Sequence, residues 1–329
     1  MKVAFFSSKP YDESYFEEYN TGNRHTITYL ETRLNPDTAE LARNHDAVCA
    51  FVNDELHGET LRILHQLGIK LLAMRCAGYN NVDLGVAKEL GIKVARVPAY
   101  SPAAVAEHAV ALILTLNRKT HKAYNRVREG NFSLNRLEGF TLQGKTVGCI
   151  GTGKIGTVFC RIMLGFGCRV VAYDKYPNHD LERAGVEYLE QSDLFRTSDI
   201  IALNCPLLPD THHLIREETI KQMKPGVMII NTSRGGLVNT PDALTYLSNH
   251  HIGSLGIDVY EQEGSYFFED FSENVLEDEI LMRLISFPNV LITSHQGFFT
   301  QEALEEITKT TLANLDMFED GAPLVNEVR

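Results

Sequence analysis

Lys145-Thr-Val-Gly-Cys-Ile-Gly151-Thr152-Gly153-Lys154-Ile155-Gly156, followed at Arg169-Val-Val-Ala-Tyr-Asp174 by a second apolar run ending in an acid, is the stretch that decides the fold. It reads as strand, tight glycine turn, helix, strand. Gly151 permits the turn, Gly153 lets the backbone approach a pyrophosphate, and Gly156 lets the helix lie close to the sheet. Phosphate oxygens would then meet free N–H groups at the helix N-terminus. Asp174 stands where an adenosine ribose needs an acceptor for its hydroxyls. Glycine turns are common, so a purely structural turn is the competing reading. The preceding strand, the helix-length segment that follows and the terminal acid favour a dinucleotide.

Working outward, residues 145–295 continue to alternate strand and helix. Strands are expected at 199–203, 227–231, 254–259 and 289–293, punctuated by Pro206, Pro225-Gly226, Pro241 and Gly253. Residues 1–97 show the same alternation without a glycine fingerprint: strand-like runs at 3–7, 26–29, 47–52, 71–76 and 93–97, with helical periodicity at 38–43 and 59–67. Between the two halves Ser101 can cap and Pro102 suits the first position of a long helix running through Leu116. That helix reads as a crossover between domains. Residues 301–318 form an amphipathic pattern stopped by Gly321, expected to return to the first domain. The fold class is α/β: two Rossmann/flavodoxin-like domains with parallel sheets, 1–99 plus 299–329 and 100–298, with the active site in the cleft between them.

Composition excludes several classes. With 329 residues the chain is long enough for two domains, and 44% hydrophobic with 22% charged residues is the balance of a soluble globular protein. A net charge of −12 disfavours nucleic acid or an anionic membrane as partner. No apolar run approaches the ~18 residues of a membrane span. The N-terminal apolar run is too short for a signal peptide. Cys49, Cys76, Cys149, Cys160, Cys168 and Cys205 show no CxxC spacing and suit a reduced, cytoplasmic interior. The pairs His212-His213 and His250-His251 have no cysteine or carboxylate at ligand spacing, so they read as surface histidines and no metal site is expected.

Three ionisable residues follow three of the expected strands: Arg234, Glu263 and His295. Each emerges at the sheet rim that carries the glycine turn. A guanidinium suits bidentate capture of a carboxylate, a histidine exchanges a proton near neutral pH, and a carboxylate beside it favours the charged imidazole. Singly, each is as readily a surface or rim residue. Together, beside a dinucleotide, they are what hydride transfer to an α-keto acid requires.

Gly151-Thr-Gly-Lys-Ile-Gly156, Asn231-Thr-Ser-Arg-Gly235, Asp258-Val-Tyr-Glu-Gln-Glu263 and Ser294-His-Gln296 together resemble the D-isomer-specific 2-hydroxyacid dehydrogenase family over nearly the whole chain. Within it Arg75-Cys-Ala-Gly-Tyr-Asn-Asn-Val-Asp83, Arg96-Val-Pro-Ala-Tyr100, Val105-Ala-Glu-His108 and Tyr266-Phe-Phe-Glu-Asp270 are similar to the bacterial fermentative D-lactate branch. The resemblance implies an NAD-dependent oxidoreductase reducing pyruvate to D-lactate, with Arg234 on the substrate carboxylate, His295 as proton donor and Glu263 holding the imidazole. It implies substrate contacts at Ala77, Gly78, Tyr79, Tyr100 and Phe298. On the cofactor side it implies the Lys154 and Ile155 amides at the pyrophosphate, in the turn of Gly151, Gly153 and Gly156, Asp174 on the adenosine ribose, and Tyr173 as a further cofactor contact. Cys205 and Pro206 would lie by the adenine, Thr232 and Asp258 toward the nicotinamide, and Thr211, Ser233 and Arg234 among the further cofactor contacts. Asp174 would repel a 2′-phosphate, while Lys175 could soften that preference for NAD over NADP. The family forms dimers or tetramers, so a homo-oligomer is expected. The alternatives are a sister dehydrogenase for a bulkier 2-keto acid and a dinucleotide-sensing binding protein without chemistry.

Overall fold

The computed structural model describes residues 1–328. The chain separates into two compact units, Met1–Ser101 together with the chain from Phe298 onward, and Pro102–Gly297. The described strands are, in the first unit, β1 (Lys2–Phe5), β2 (Thr26–Tyr29), β3 (Ala47–Ala50), β4 (Leu71–Met74) and β5 (Lys93–Ala95). In the second they are β6 (Thr146–Ile150), β7 (Arg169–Tyr173), β8 (Glu187–Tyr188), β9 (Ile200–Leu203), β10 (Val227–Asn231), β11 (Ile252–Ile257) and β12 (Val290–Ile292). The chain then returns to the first unit with β13 (Glu327–Val328).

The first sheet has the order β13-β5-β4-β3-β1-β2. It is parallel except where β13 runs antiparallel to β5. Strands β3 (AVCA) and β4 (LLAM) are buried at every position, because helices cover both faces of a central parallel strand and leave no polar side. The order β2-β1-β3-β4-β5 is the flavodoxin-like winding. The helix Gln301–Glu319 packs on the helix Pro10–Tyr19 and on β4. Thr300 caps it, its hydroxyl accepting from the Ala303 amide at 3.3 Å.

The second sheet, β12-β11-β10-β9-β6-β7-β8, is parallel throughout. Its strand order reverses between β6 and β9, the switch point at which doubly wound sheets hold ligands. Strand β10 feeds two cores by alternation: Val227 and Ile229 face one, Met228 and Ile230 the other. The helix Pro102–Arg118 lies wholly in this unit, packed on β10, β11, β12 and the helix Lys154–Gly165. The expectation of a crossover is therefore corrected: its apolar residues, among them Ala106, Ala109, Leu112 and Ile113, are buried in the second unit's core.

Most expected elements form with shifted ends. The periodicity at 38–43 yields only a 3-10 turn, Ala39–Ala42. Strands β8 and β13, two residues each, were not expected, because so short a segment carries no alternation to read. Among the described residues no helix is long and apolar enough to cross a membrane.

Candidate active site

The glycine loop follows β6 directly. Gly151 adopts φ 94°, a left-handed conformation, and a Cβ there would sit 2.7 Å from the Asn204 backbone. At Gly156 a Cβ would lie 2.0 Å from the Gly151 carbonyl oxygen, so the helix can approach the loop only without a side chain. Gly153 differs, with open space where its Cβ would be. It stands at the N-cap of the helix Lys154–Gly165 and offers no side chain to the first-turn amides. A pyrophosphate fits this cradle: an unobstructed approach at Gly153 and the positive end of a helix dipole.

Asp174 ends the strand next door. Its Oδ2 accepts from the Thr152 amide at 2.6 Å and the Thr152 hydroxyl at 3.1 Å, and its Oδ1 from the Tyr176 amide at 2.9 Å. Tyr188 donates to the Thr152 hydroxyl at 2.9 Å, so even the short β8 helps hold the acid beside the loop. Lys175 pairs with Asp210, and that hydrogen bond raises its pKa. Its charge is thereby partnered rather than left to attract a 2′-phosphate. Tyr173 lies half-buried in β7 against the core. Thr211 closes the turn after Pro206, donating to the Pro206 carbonyl at 2.7 Å, and Ser233 donates to the Cys205 carbonyl at 2.6 Å. Burial pushes the Cys205 thiol up to about 11, which removes the thiolate at neutral pH.

The register explains where the ionisable residues emerge. Asn231, Ile257 and Ile292 are successive partners across β10, β11 and β12. Arg234 and His295 each follow that row by three residues, and Glu263 follows on the loop after β11. Asn231 shapes the first loop, its Nδ2 donating to the Arg234 carbonyl at 2.8 Å and its Oδ1 accepting from the Ser233 amide at 3.1 Å. The Arg234 guanidinium bonds the Ser233 carbonyl at 2.6 Å. The structure brings Glu263 and His295 into contact, Nδ1 to Oε1 at 2.9 Å, while the second Glu263 oxygen accepts from the Tyr260 amide at 2.9 Å. A carboxylate only accepts, so Nδ1 carries the proton in this bond and Nε2 is left for exchange. His295 itself sits at φ 55°, a left-handed conformation that costs energy for a residue with a Cβ and clusters at functional sites.

Asp258 explains how that turn is held. It is 1% exposed. The Gln296 and Gly297 amides donate to its two oxygens at 2.8 Å each, and the Thr293 hydroxyl donates to Oδ1 at 2.5 Å. His108 Nε2 lies 3.3 Å from the same oxygen and 2.9 Å from the Thr293 hydroxyl. The His295 amide donates to the Asp258 carbonyl at 2.7 Å. Burial acts to raise the Asp258 pKa, but the bonds from His108 and Thr293 outweigh it and hold the carboxyl below its usual range. His108 and Thr293 went unassigned from sequence; the only signal was that His108 ends the motif Val105-Ala-Glu-His108 and that Thr293 stands two residues before His295. Thr232 is buried directly after β10, between Asn231 and Ser233.

The remaining candidates lie in the first unit. Arg96 donates to the Ala77 carbonyl at 2.7 Å with its guanidinium 4.9 Å from the Tyr79 ring centroid, and the Cys76 thiol donates to the Gly78 carbonyl at 3.2 Å. With both carbonyls bonded, the 76–79 turn is fixed. The Phe298 ring lies 6.2 Å from Tyr100 and 6.0 Å from Phe51, so an aromatic cluster forms around it.

One expectation is corrected. His213 has a carboxylate partner after all: its Nε2 meets Glu261 Oε1 at 2.5 Å, and His212 stacks on it at 3.8 Å between centroids. Three potential ligands thus converge. Their hydrogen bonding does not suit a metal. Asn239 Nδ2 faces His213 Nδ1 at 3.3 Å, and the amide cannot flip because its oxygen caps the helix Thr240–Ser248. Nδ1 is therefore an acceptor, and Nε2 carries the proton given to Glu261 rather than a lone pair for an ion.

Comparison with known proteins places this geometry among relatives. Residues 110–297 match the D-isomer specific 2-hydroxyacid dehydrogenase, NAD binding domain, family. The chain is 50% identical to D-lactate dehydrogenase of Escherichia coli (strain K12) over 328 residues, covering 100% of both chains. It superimposes on the apo-structure of D-lactate dehydrogenase from Escherichia coli, 48% identical, with a TM-score of 0.91 over 100% of each. It also resembles the pyruvate reductase of Chlamydomonas reinhardtii, with 42% identity, a TM-score of 0.92 and 99% and 98% of the two chains covered. D-lactate dehydrogenase from Aquifex aeolicus, solved with NAD and lactic acid, is 32% identical with a TM-score of 0.87, covering 97% and 96%.

Proposed function

The chain belongs to the D-isomer specific 2-hydroxyacid dehydrogenase family, and from that premise we propose that it reduces pyruvate to D-lactate with NADH. The observation that carries the reading is the 2.9 Å bond between His295 and Glu263 on the rim that also bears Arg234 and the glycine cradle. Glu263 fixes the imidazole so that Nε2 faces the substrate, and His295 delivers a proton to the keto oxygen. Arg234 takes the substrate carboxylate through its two-pronged guanidinium. The nicotinamide, when bound, supplies hydride to C2. The cradle at Gly151, Gly153, Lys154, Ile155 and Gly156 takes the pyrophosphate, and Asp174 takes the ribose hydroxyls. Tyr173, Cys205, Pro206, Thr211, Thr232 and Ser233 are assigned to the remaining cofactor contacts, with Asp258 behind them holding the His295 turn.

Ala77, Gly78 and Tyr79 are assigned to the substrate carboxylate, and Tyr100 and Phe298 to its methyl side. Phe51, Tyr100 and Phe298 form an aromatic cluster on that side. Tyr124, Val127, Phe132 and Leu134 are each more than half exposed; an apolar series of this kind supports a homo-oligomer. Six cysteines, all buried and unbridged, suit a cytoplasmic setting. The test is turnover of pyruvate, hydroxypyruvate and phenylpyruvate with NADH. Pyruvate is expected to have the highest kcat/KM, and a higher value for phenylpyruvate would move the assignment to a dehydrogenase of bulkier acids.

A further inference from the structure

Within the second unit, four residues of the segment 293–297 are bonded to Asp258, three of them to its carboxylate, and one side chain from a distant element joins them: His108, on the helix Pro102–Arg118. The proton positions follow from what each group can do. The Asp258 carboxylate only accepts, so the Thr293 hydroxyl hydrogen is spent on it at 2.5 Å. Thr293 is left able only to accept from His108 Nε2 at 2.9 Å, which fixes the hydrogen on Nε2 of that ring. The chain His108 to Thr293 to Asp258 is thus directional and ends on Asp258, which also accepts from the Gln296 and Gly297 amides just after His295. The His108 side chain also backs the turn, its Cδ2 3.5 Å from where a Gly297 Cβ would stand. A left-handed His295 relaxes unless its surroundings hold it, and this network supplies the restraint.

We propose that His108 is a positioning residue for His295, acting through Thr293 and Asp258 to hold the strained turn that aims the imidazole at the substrate. The proposal rests on the reading of His295 as proton donor. His108 touches no reacting atom in this account; it sets where the donor stands.

His108→Leu, Thr293→Val and the double variant test it, with His108→Gln as the conservative replacement that keeps a side-chain N–H. Severing the chain at either point is expected to lower kcat for pyruvate reduction about tenfold to a hundredfold, a part of the ~10²–10⁴-fold that a general acid contributes. The KM for pyruvate and the NADH dissociation constant read by fluorescence should stay within about threefold. The double variant should be no worse than the poorer single one, because both cut the same chain, and His108→Gln should recover most of the rate. In parallel, nitrogen-15 NMR of the His295 imidazole should show a changed environment in His108→Leu and a native one in His108→Gln. Wild-type kcat in well-folded Leu and Val variants, or additive losses in the double, would overturn the proposal. So would an unchanged His295 signal. That spectrum needs no substrate, so a wild-type protein inert toward pyruvate would sink the functional reading without touching the positioning role.

Discussion

Arg234 and Asp258 show how differently two charged residues on one rim are used. The Arg234 guanidinium bonds a backbone carbonyl beside it, an interaction a carboxylate replaces readily. Arg234→Gln is expected to raise the KM for pyruvate about tenfold to a hundredfold, the worth of a charged hydrogen bond at ~1.5–3 kcal/mol, with kcat falling as well; steady-state kinetics check it. Asp258 is buried and fully engaged, its pKa lowered because the donors from His108 and Thr293 outweigh the cost of burial. A carboxyl whose folded pKa is depressed stabilises the fold in full above its unfolded value of ~3.9 and loses that contribution as pH falls through the folded value. Melting temperatures measured from pH 6 downward should therefore drop below about pH 4 in the wild type and drop less steeply in Asp258→Asn, which starts lower. At this scale the residues legible in the sequence were those placed by their own neighbours: the fingerprint glycines, Asp174, and ionisable groups just past a strand. The sequence concealed His108 and Thr293, separated by 185 positions, and the His213–Glu261 bond, because only the strand register and helix packing bring such pairs together.

At the scale of elements, the glycine loop between β6 and the helix Lys154–Gly165 is the most exacting piece. A methyl group at Gly156 would meet the Gly151 carbonyl at 2.0 Å, backbone that cannot rotate away. Gly156→Ala is expected to cost about 1–3 kcal/mol of stability through overpacking and to raise the NADH dissociation constant at least about tenfold, measured by thermal unfolding and fluorescence titration. A substitution that left both unchanged would mean that the loop tolerates displacement and does not set the pyrophosphate's place. The strands of both sheets were legible because apolar runs bounded by proline and glycine have few alternatives. The helix Pro102–Arg118 was legible as a helix but misplaced as a connector, since its near-continuous apolar sequence does not say which sheet it covers. Strands β8 and β13 were too short to leave a pattern.

At the scale of the molecule, two α/β units of different winding share one chain, and the second unit carries the cradle, the guanidinium and the imidazole–carboxylate pair. A net charge of −12 sets the background against which a small anion must be captured, which makes a dedicated cation at Arg234 the more necessary. The account stands on His295 giving a proton to one face of a keto acid while hydride reaches the carbon. The most direct test is NADH oxidation by wild type and His295→Gln with pyruvate, followed by chiral analysis of the lactate formed. The wild type is expected to yield the D isomer alone, and His295→Gln to lose about 10²–10⁴-fold in kcat, the contribution of a general acid, while still binding NADH. An L product, or a His295→Gln variant that turns over pyruvate at the wild-type rate, would contradict it.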